Sequence, residues 1–279
     1  MQGKTVVVTG GTSGIGEVAA IRLAEQGARI VLVARDRARA DATLAKLKAA
    51  NRAAAHTVHL ADLSSIAEMK RVATEIAAAE PRIDVLINNA GAVFFSHQVS
   101  VDGLEMTFAT NHMAYFVVTN ILLPNMKAGA RIVSTASDAH KPGKLDFDDL
   151  QLEKKYNLGR AYANSKLCNI LFTRELAKRL AGTGITANCL HPGFVGSNFG
   201  KNNVKSGFMR LVHRAVMAFG ISPEKGAQTI IYLASSPQVE GKTGGYYYKC
   251  KPATPTAAAQ NDADAKRLWD VSAKLAGVG

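Results

Sequence analysis

The chain has 279 residues, of which 47% are hydrophobic and 20% are charged, a balance that excludes disordered, collagen-like and low-complexity architectures. Its 34 Lys and Arg residues outnumber 22 Asp and Glu residues, giving a formal net charge of +12. Such an excess would suit nucleic-acid binding, but the basic residues are scattered and form no recognition motif. We expect a basic surface with an anion-binding site and no nucleic-acid partner.

The three cysteines lack the spacings of zinc sites, so we predict free thiols in a reducing compartment. His56 and His59 lie in a short strand-like stretch without matching ligands, and we therefore predict no metal site. The sequence shows no signal peptide and no apolar run of ~18 residues. We expect a cytoplasmic protein without a transmembrane segment.

Short apolar runs alternate with longer segments of helical composition. The runs predict seven strands, at Thr5–Thr9, Arg29–Ala34, Thr57–Leu60, Asp84–Asn88, Arg131–Thr135, Thr186–Leu190 and Gly245–Tyr248. The segments predict helices at about Ile15–Gln26, Arg37–Ala50, Ser64–Ala79, Leu104–Leu123, Gly159–Ala181, Pro223–Ser235 and Asp262–Leu275. Because strands of this kind are buried on both faces, the pattern predicts an α/β fold: a single domain over residues 1–279 with a doubly wound, Rossmann-type parallel sheet.

A glycine-rich turn, Thr9–Gly16, joins the first predicted strand to the first helix. Glycine lets the backbone turn tightly and approach a pyrophosphate, which the positive helix N-terminus attracts. The spacing G-x-x-x-G-x-G departs from the generic dinucleotide fingerprint, but its position at the first strand–helix junction favours a dinucleotide site. The residues assigned to this site are Gly10, Thr12, Ser13, Gly14, Ile15 and Gly16.

The end of the second strand discriminates between nicotinamide cofactors, because an acidic residue there binds the ribose 2′-hydroxyl and an arginine binds a 2′-phosphate. The sequence reads Val33-Ala34-Arg35-Asp36-Arg37, with Ala34 at the discriminating position and Arg35 directly after it. A guanidinium can bind phosphate bidentately, which favours NADP(H). A register shift of one residue would bring Asp36 forward and favour NAD.

The ends of the third and fourth strands extend the same predicted groove. Asp62 and Leu63 follow the third strand, where a carboxylate can reach the adenine amino group. The small residues in Asn88–Gly91, which include Asn89, Ala90 and Gly91, suit a close approach of the backbone to the cofactor.

Tyr162 and Lys166 are candidates for proton transfer, because a spacing of four places them on one helix face. A free tyrosine has a pKa of ~10. A neighbouring ammonium favours the phenolate and would lower this pKa, which would make Tyr162 a general acid or base. Tyr156 and Arg160 have the same spacing but lie in a polar insertion near the helix start, so we interpret them as a decoy.

Taken in order, Thr9–Gly16 (TGxxxGxG), Asn88–Gly91 (NNAG) and Tyr162–Lys166 (YxxxK) resemble the short-chain dehydrogenase/reductase family over nearly the whole chain. The resemblance implies that Asn111 and Ser137 complete the catalytic set with Tyr162 and Lys166. It also implies cofactor contacts from Pro192, Gly193 and Val195. The cofactor half would span about residues 1–130 and the catalytic and substrate half about 131–279.

Within that family, the polar insertion, His191-Pro192-Gly193 and the tail Arg267–Ser272 resemble the retinol dehydrogenase group. This implies an NADP(H)-dependent interconversion of a carbonyl and an alcohol, on a lipophilic aldehyde, ketone or retinoid-like substrate. The membrane anchor common at the N-terminus of that group has no counterpart in the sequence, as expected of a soluble relative. Ser134-Thr135-Ala136-Ser137 replaces the usual Asn-Val-Ser-Ser and changes the support of Ser137.

Several alternatives remain open. The insertions at 137–160 and 196–222 follow strand ends and are expected on the substrate side. The apolar stretch 208–219 could form a lid over the substrate, a peripheral membrane contact, or a helix that covers the core. Homodimers form through the long helices in this family, but a tail containing Trp269 could cover that surface. A non-catalytic redox sensor is the alternative function, disfavoured by the intact catalytic set.

Overall fold

The computed structural model describes residues 1–195 and 220–278, and the strands of these residues form one eight-stranded sheet. The strands are β1 (Thr5–Thr9), β2 (Arg29–Ala34), β3 (Thr57–Leu60), β4 (Ile83–Asn88), β5 (Met126–Thr135), β6 (Thr186–Leu190), β7 (Tyr246–Tyr248) and β8 (Lys251–Ala253). Their order is β3-β2-β1-β4-β5-β6-β7-β8, and every neighbouring pair up to β7 is parallel. The predicted doubly wound parallel sheet is confirmed.

The eighth strand corrects the prediction of seven. β8 pairs antiparallel with β7 across a two-residue turn, in which Lys249 and Cys250 have φ angles of 48° and 59°. Such turns favour Asn-Gly or Asp-Gly, because both residues need a positive φ. The N–H group of Cys250 donates to Thr229 Oγ1 at 3.2 Å and helps to hold the turn. The turn residues Lys249 and Cys250 are not the residue types that indicate a hairpin in a sequence. Pro252 in the strand that follows is compatible only with an edge strand.

The helices lie on both faces of the sheet. They are α1 (Gly14–Glu25), α2 (Arg37–Ala50), α3 (Ile66–Ala79), α4 (Met106–Phe108), α5 (Ala114–Leu122), α6 (Leu158–Arg179), α7 (Pro223–Ser235) and α8 (Asp262–Ala276). α1, α2 and α7 contribute to the core on one face, while α3, α5, α6 and α8 build the core on the other. Alternate residues of β1 serve the two cores, since Val6 and Val8 join the first and Val7 the second.

Two predicted boundaries change for identifiable reasons. β5 begins at Met126 rather than Arg131, because Met126 pairs with Ile83 across a register shift. The predicted helix at 104–123 is not a continuous α-helix, since a π-helical segment, Ala109–Met113, separates α4 from α5. The apolar stretch 208–219, for which three alternatives were left open, lies outside the described residues. Among the described helices, none combines the length and the apolar character needed to cross a membrane.

The C-terminal helix α8 packs against α5 and α6. The Trp269 ring stacks on Phe172 of α6 at 5.8 Å between centroids and lies edge-on to Phe116 of α5 at 4.9 Å. The guanidinium of Arg179 lies over the Trp269 ring, 4.4 Å from the ring centroid. The tail therefore covers part of the helix surface that we considered for subunit pairing.

Candidate active site

A groove of about 1490 Å³ runs along the carboxyl ends of the strands, across the point between β1 and β4 where the strand order reverses. Ligands of open α/β sheets bind at such points. The predicted site residues that line it are Gly10, Thr12, Ser13, Gly14, Ile15, Arg35, Asp62, Leu63, Asn89, Ala90, Gly91, Ser137, Tyr162, Lys166, Pro192, Gly193 and Val195. The other two, Gly16 and Asn111, lie beneath the groove surface, where they support residues that line it.

The turns after β1 and β4 pack directly against each other. Thr9 Oγ1 accepts the N–H groups of Asn89 and Ala90 at 3.0 and 3.1 Å, and Asn89 Nδ2 donates to the Gly10 carbonyl at 3.0 Å. Gly10 has a φ of +66°, and a Cβ there would lie 2.6 Å from Ala90 Cα. A Cβ on Gly16 would overlap Asn89 Nδ2 and the Gly10 carbonyl. Because these two positions carry no side chain, the turns after β1 and β4 can pack this closely at the floor of the groove, next to the N-terminus of α1.

The end of β2 presents unpaired positive charge. β2 ends at Ala34 and is followed by Arg35, whose exposed side chain lines the groove together with Arg39. Within residues 1–195 and 220–278, neither guanidinium has a hydrogen-bonding or ion-pair partner. Asp36 Oδ1 accepts the N–H of Arg39 at 2.9 Å as the N-cap of α2. Asp36 thus has a local structural partner, and two guanidiniums are available for an anion.

The end of β5 and the helix α6 bring the catalytic candidates together. Tyr162 and Ser137 share a side-chain hydrogen bond, and Lys166 Nζ lies 5.7 Å from the centroid of the Tyr162 ring. Lys166 Nζ donates to the Thr135 carbonyl at 3.0 Å, and Asn169 Nδ2, one turn along α6, donates to the same oxygen at 3.2 Å. The last carbonyl of β5 therefore fixes the ammonium beside the phenol.

Asn111 lies in the π-helical segment and is completely buried. Its Oδ1 accepts the N–H of Ala92 at 2.7 Å, while Nδ2 donates to the Ala92 carbonyl at 3.0 Å and to Ser165 Oγ at 3.1 Å. A Cβ on Gly91 would lie 3.3 Å from Asn111 Oδ1 and 3.7 Å from Lys166 Nζ, so both atoms adjoin this glycine. π-Helical turns often occur at functional sites, and this one carries Asn111 beside Gly91 and Lys166.

Burial controls the electrostatics of this cluster. It raises the pKa of Tyr162 to about 12, against the opposing effect of the hydrogen bond with Ser137, and it lowers the pKa of Lys166 to about 7. We expected the neighbouring Lys166 ammonium to lower the pKa of Tyr162, but burial raises this pKa instead. The physical reason is that desolvation penalises both the phenolate and the ammonium.

Several residues that line the groove were not predicted as site residues, among them Arg39 and the aromatic residues His191, Tyr246 and Tyr248. The His191 ring stacks on Tyr248 at 4.0 Å and on Tyr246 at 5.5 Å, nearly parallel to both. His191 directly follows β6 and Tyr248 ends β7, so the rule about carboxyl ends of strands could have identified them. The decoy Tyr156 does not line the groove, and its hydroxyl donates to the Phe94 carbonyl at 2.6 Å.

Comparison with known proteins agrees with this geometry. A family model described as short chain dehydrogenase matches residues 4–206. Human retinol dehydrogenase 14 is 42% identical over 294 residues, covering 100% of this chain and 88% of the relative.

Two solved structures show the same fold. An uncharacterized protein from Mycobacterium paratuberculosis is 30% identical with a TM-score of 0.79, covering 99% of this chain and 94% of that one. A short chain dehydrogenase from Burkholderia cenocepacia J2315, in complex with NADP, is 26% identical with a TM-score of 0.68, covering 88% and 95%. The chain therefore belongs to the short-chain dehydrogenase/reductase family, as a retinol dehydrogenase-like oxidoreductase of alcohols and carbonyls.

Proposed function

We propose that the protein is an NADP(H)-dependent oxidoreductase that interconverts a carbonyl and an alcohol on a lipophilic aldehyde, ketone or retinoid-like substrate. The main support for the proposal is that one groove contains two sets of residues. Ser137, Tyr162 and Lys166 line it together with the unpaired guanidiniums of Arg35 and Arg39. The names of a retinol dehydrogenase relative and of a structural neighbour with NADP support it.

The groove offers separate positions to the parts of the cofactor. The turn Thr9–Gly16 would hold the pyrophosphate at the N-terminus of α1, and Arg35 with Arg39 would hold the 2′-phosphate. Asp62 and Leu63 would face the adenine. The nicotinamide end would lie between the turn after β4, with Asn89, Ala90 and Gly91, and the turn after β6, with Pro192, Gly193 and Val195. When bound, the cofactor supplies or accepts a hydride.

The protein's own contribution is the handling of the substrate oxygen and its proton. Ser137 Oγ would hydrogen-bond the substrate oxygen, and the Tyr162 hydroxyl would protonate it during reduction. A phenol whose pKa burial raises to about 12 is protonated at neutral pH and therefore holds the proton to be donated. A charged Lys166 ammonium beside it would lower this pKa towards the range in which a general acid is efficient. Lys166, held by the Thr135 carbonyl at the end of β5, would bind the nicotinamide ribose hydroxyls. Asn111 would fix the turn after β4 through its hydrogen bonds with Ala92.

The substrate side of the groove supports a lipophilic substrate. The stacked rings of His191, Tyr246 and Tyr248 line the same groove as Ser137. Phe94 and Phe194 also line the groove, and Phe194 is 54% exposed. A lipophilic carbonyl compound would bury apolar surface against these aromatic side chains, at about 25 cal/mol for each Å² removed from water.

The decisive experiment follows NADPH and NADH oxidation across carbonyls from small aldehydes and steroids to retinal and fatty aldehydes. Tyr162→Phe removes the acidic hydroxyl and keeps the ring, so kcat should fall by about 10²- to 10⁴-fold. Tyr232→Phe is the matched control, because it removes a tyrosine hydroxyl that pairs with Gln238 on an exposed surface outside the groove.

We expect NADPH to be preferred and the control to retain wild-type turnover. Near-wild-type turnover by Tyr162→Phe would disprove the mechanism. Cofactor binding without turnover of any carbonyl would favour the redox-sensor alternative.

A further inference from the structure

His140 connects the catalytic serine to the C-terminal part of the chain. It is 1% exposed and ends the short 3₁₀ turn Asp138–His140 that follows β5. Its Nδ1 lies 2.8 Å from the Ser137 carbonyl oxygen, and the N–H of Thr256 donates to its Nε2 at 3.3 Å. A backbone amide can only donate, so Nε2 is the unprotonated nitrogen. Nδ1 then carries the proton and donates to the Ser137 carbonyl.

The surroundings of the ring keep it neutral and in place. Burial lowers the pKa of His140, outweighing the opposite effects of the Ser137 carbonyl and Asp138. The ring lies edge-on to Tyr246, 5.3 Å between centroids, in the wall of the groove. A neutral imidazole with one donor and one acceptor engaged has a single tautomer and a single orientation.

His112, the residue after Asn111, connects the C-terminal helix to the segment that carries Asn111. Ser272 Oγ on α8 donates to the Leu268 carbonyl at 2.7 Å and must therefore accept from His112 Nε2 at 2.8 Å. His112 is completely buried in the π-helical segment that carries Asn111. The C-terminal part of the chain thus reaches the neighbours of two catalytic candidates through two histidines.

We propose that the C-terminal segment 256–276 positions the catalytic centre through these two histidines, and that His140 is the positioning residue for Ser137. The inference rests on the proposed function, because it assigns Ser137 Oγ to the substrate oxygen. Ser137 Oγ must face both the substrate and Tyr162, and it also accepts the N–H of Ala139 at 3.2 Å. Holding the carbonyl of the same residue through His140 limits the directions that Oγ can take.

The test separates positioning from folding with three variants. His140→Ala removes the link, and His140→Asn keeps an N–H donor near the position of Nδ1. His56→Ala is the matched control, since His56 is also buried between two backbone partners, the Ile30 N–H and the Asn51 carbonyl, away from the groove. Thermal unfolding, the Kd for NADP, and kcat and KM for the best carbonyl are measured for each.

We expect His140→Ala to lower kcat by about 10- to 100-fold, as a misplaced catalytic group does, with the Kd for NADP unchanged. His140→Asn should recover most of this loss. His56→Ala should lose thermal stability and keep the wild-type kcat. A wild-type kcat in folded His140→Ala would overturn the inference and leave the proposed function intact. Absence of carbonyl turnover in the wild type would overturn both.

Long-range ¹H–¹⁵N NMR of the histidine rings tests the connection in the unaltered protein, even if His140→Ala fails to fold. We expect His140 to carry its proton on Nδ1 and His56 to carry it on Nε2, because their backbone partners are reversed. A proton on Nε2 of His140 would overturn the inference without bearing on the proposed function.

Discussion

The two ends of the groove are built in opposite ways. At the ends of β1 and β4, two backbone turns pack against each other, and Gly10 lies so close to Ala90 that a single Cβ would overlap it. At the end of β5, the surface is formed by side chains, and the Thr135 carbonyl alone accepts from Lys166, Asn169 and Tyr115. The first end should therefore be sensitive to an added atom, and the second to a removed polar group.

The charged groups at the two ends also differ, in how far they are exposed to water. The guanidiniums of Arg35 and Arg39 lie on exposed residues at the rim, where water solvates them. Lys166 is 3% exposed, and burial lowers its pKa to about 7. Charge at the rim can help select the cofactor, whereas the charge of Lys166 depends on what binds beside it.

The largest effect is expected from Gly10→Ala. The change forces a non-glycine residue to a φ of +66° and places Cβ 2.6 Å from Ala90 Cα. The left-handed conformation costs about 1–2 kcal/mol and overpacking about 1–3 kcal/mol, so the free energy of unfolding should fall by about 2–5 kcal/mol. Binding of NADP should be lost, as measured by calorimetry on the folded fraction.

Gly3→Ala is the matched control for backbone strain. Gly3 has a φ of +69°, and a Cβ there would have no neighbour within 4 Å. This variant should lose only about 1–2 kcal/mol and bind NADP as the wild type does. Equal losses of stability and affinity in the two variants would show that close packing at Gly10 contributes nothing.

A smaller effect is expected from removing the rim arginines. Arg35→Ser and Arg39→Ser should each weaken NADPH binding by about 10- to 100-fold, the equivalent of the ~1.5–3 kcal/mol of a charged hydrogen bond. The affinity for NADH should change little. Arg37→Ser is the control, because Arg37 lies outside the groove and pairs with Asp41 at 3.4 Å. Equal loss of NADPH and NADH affinity would argue against a 2′-phosphate site.

The first end could be predicted well because its information is local. The bounds of β1, β2 and β3 agree with the prediction, and β4 begins at Ile83, one residue earlier than predicted. The turn Thr9–Gly16 is contiguous in sequence and is followed directly by α1, so its place in the groove follows from the fold.

The second end could be predicted only in part. The spacing of Tyr162 and Lys166 on α6 is local, but the support of Ser137 and Asn111 is not. The Thr256–His140 bond spans 116 positions and the His112–Ser272 bond spans 160. Hydrogen bonds between a histidine and a distant backbone or serine group leave no periodic pattern in a sequence. The pKa of Tyr162 likewise depends on burial, which the spacing of four does not reveal.

The smallest effect is expected in the proton balance of cofactor binding. A cofactor with anionic phosphates and ribose hydroxyls beside Lys166 should stabilise its ammonium and raise its pKa from about 7. Above pH 7, NADP binding should then take up protons, and affinity should fall with rising pH by at most about tenfold per unit. Calorimetry at pH 8 in buffers of different ionisation enthalpy measures this uptake.

Lys166→Met should abolish the proton uptake. Lys46→Met, which removes an exposed ammonium from the same groove, should retain it. Uptake that persists in Lys166→Met would assign the proton to another group.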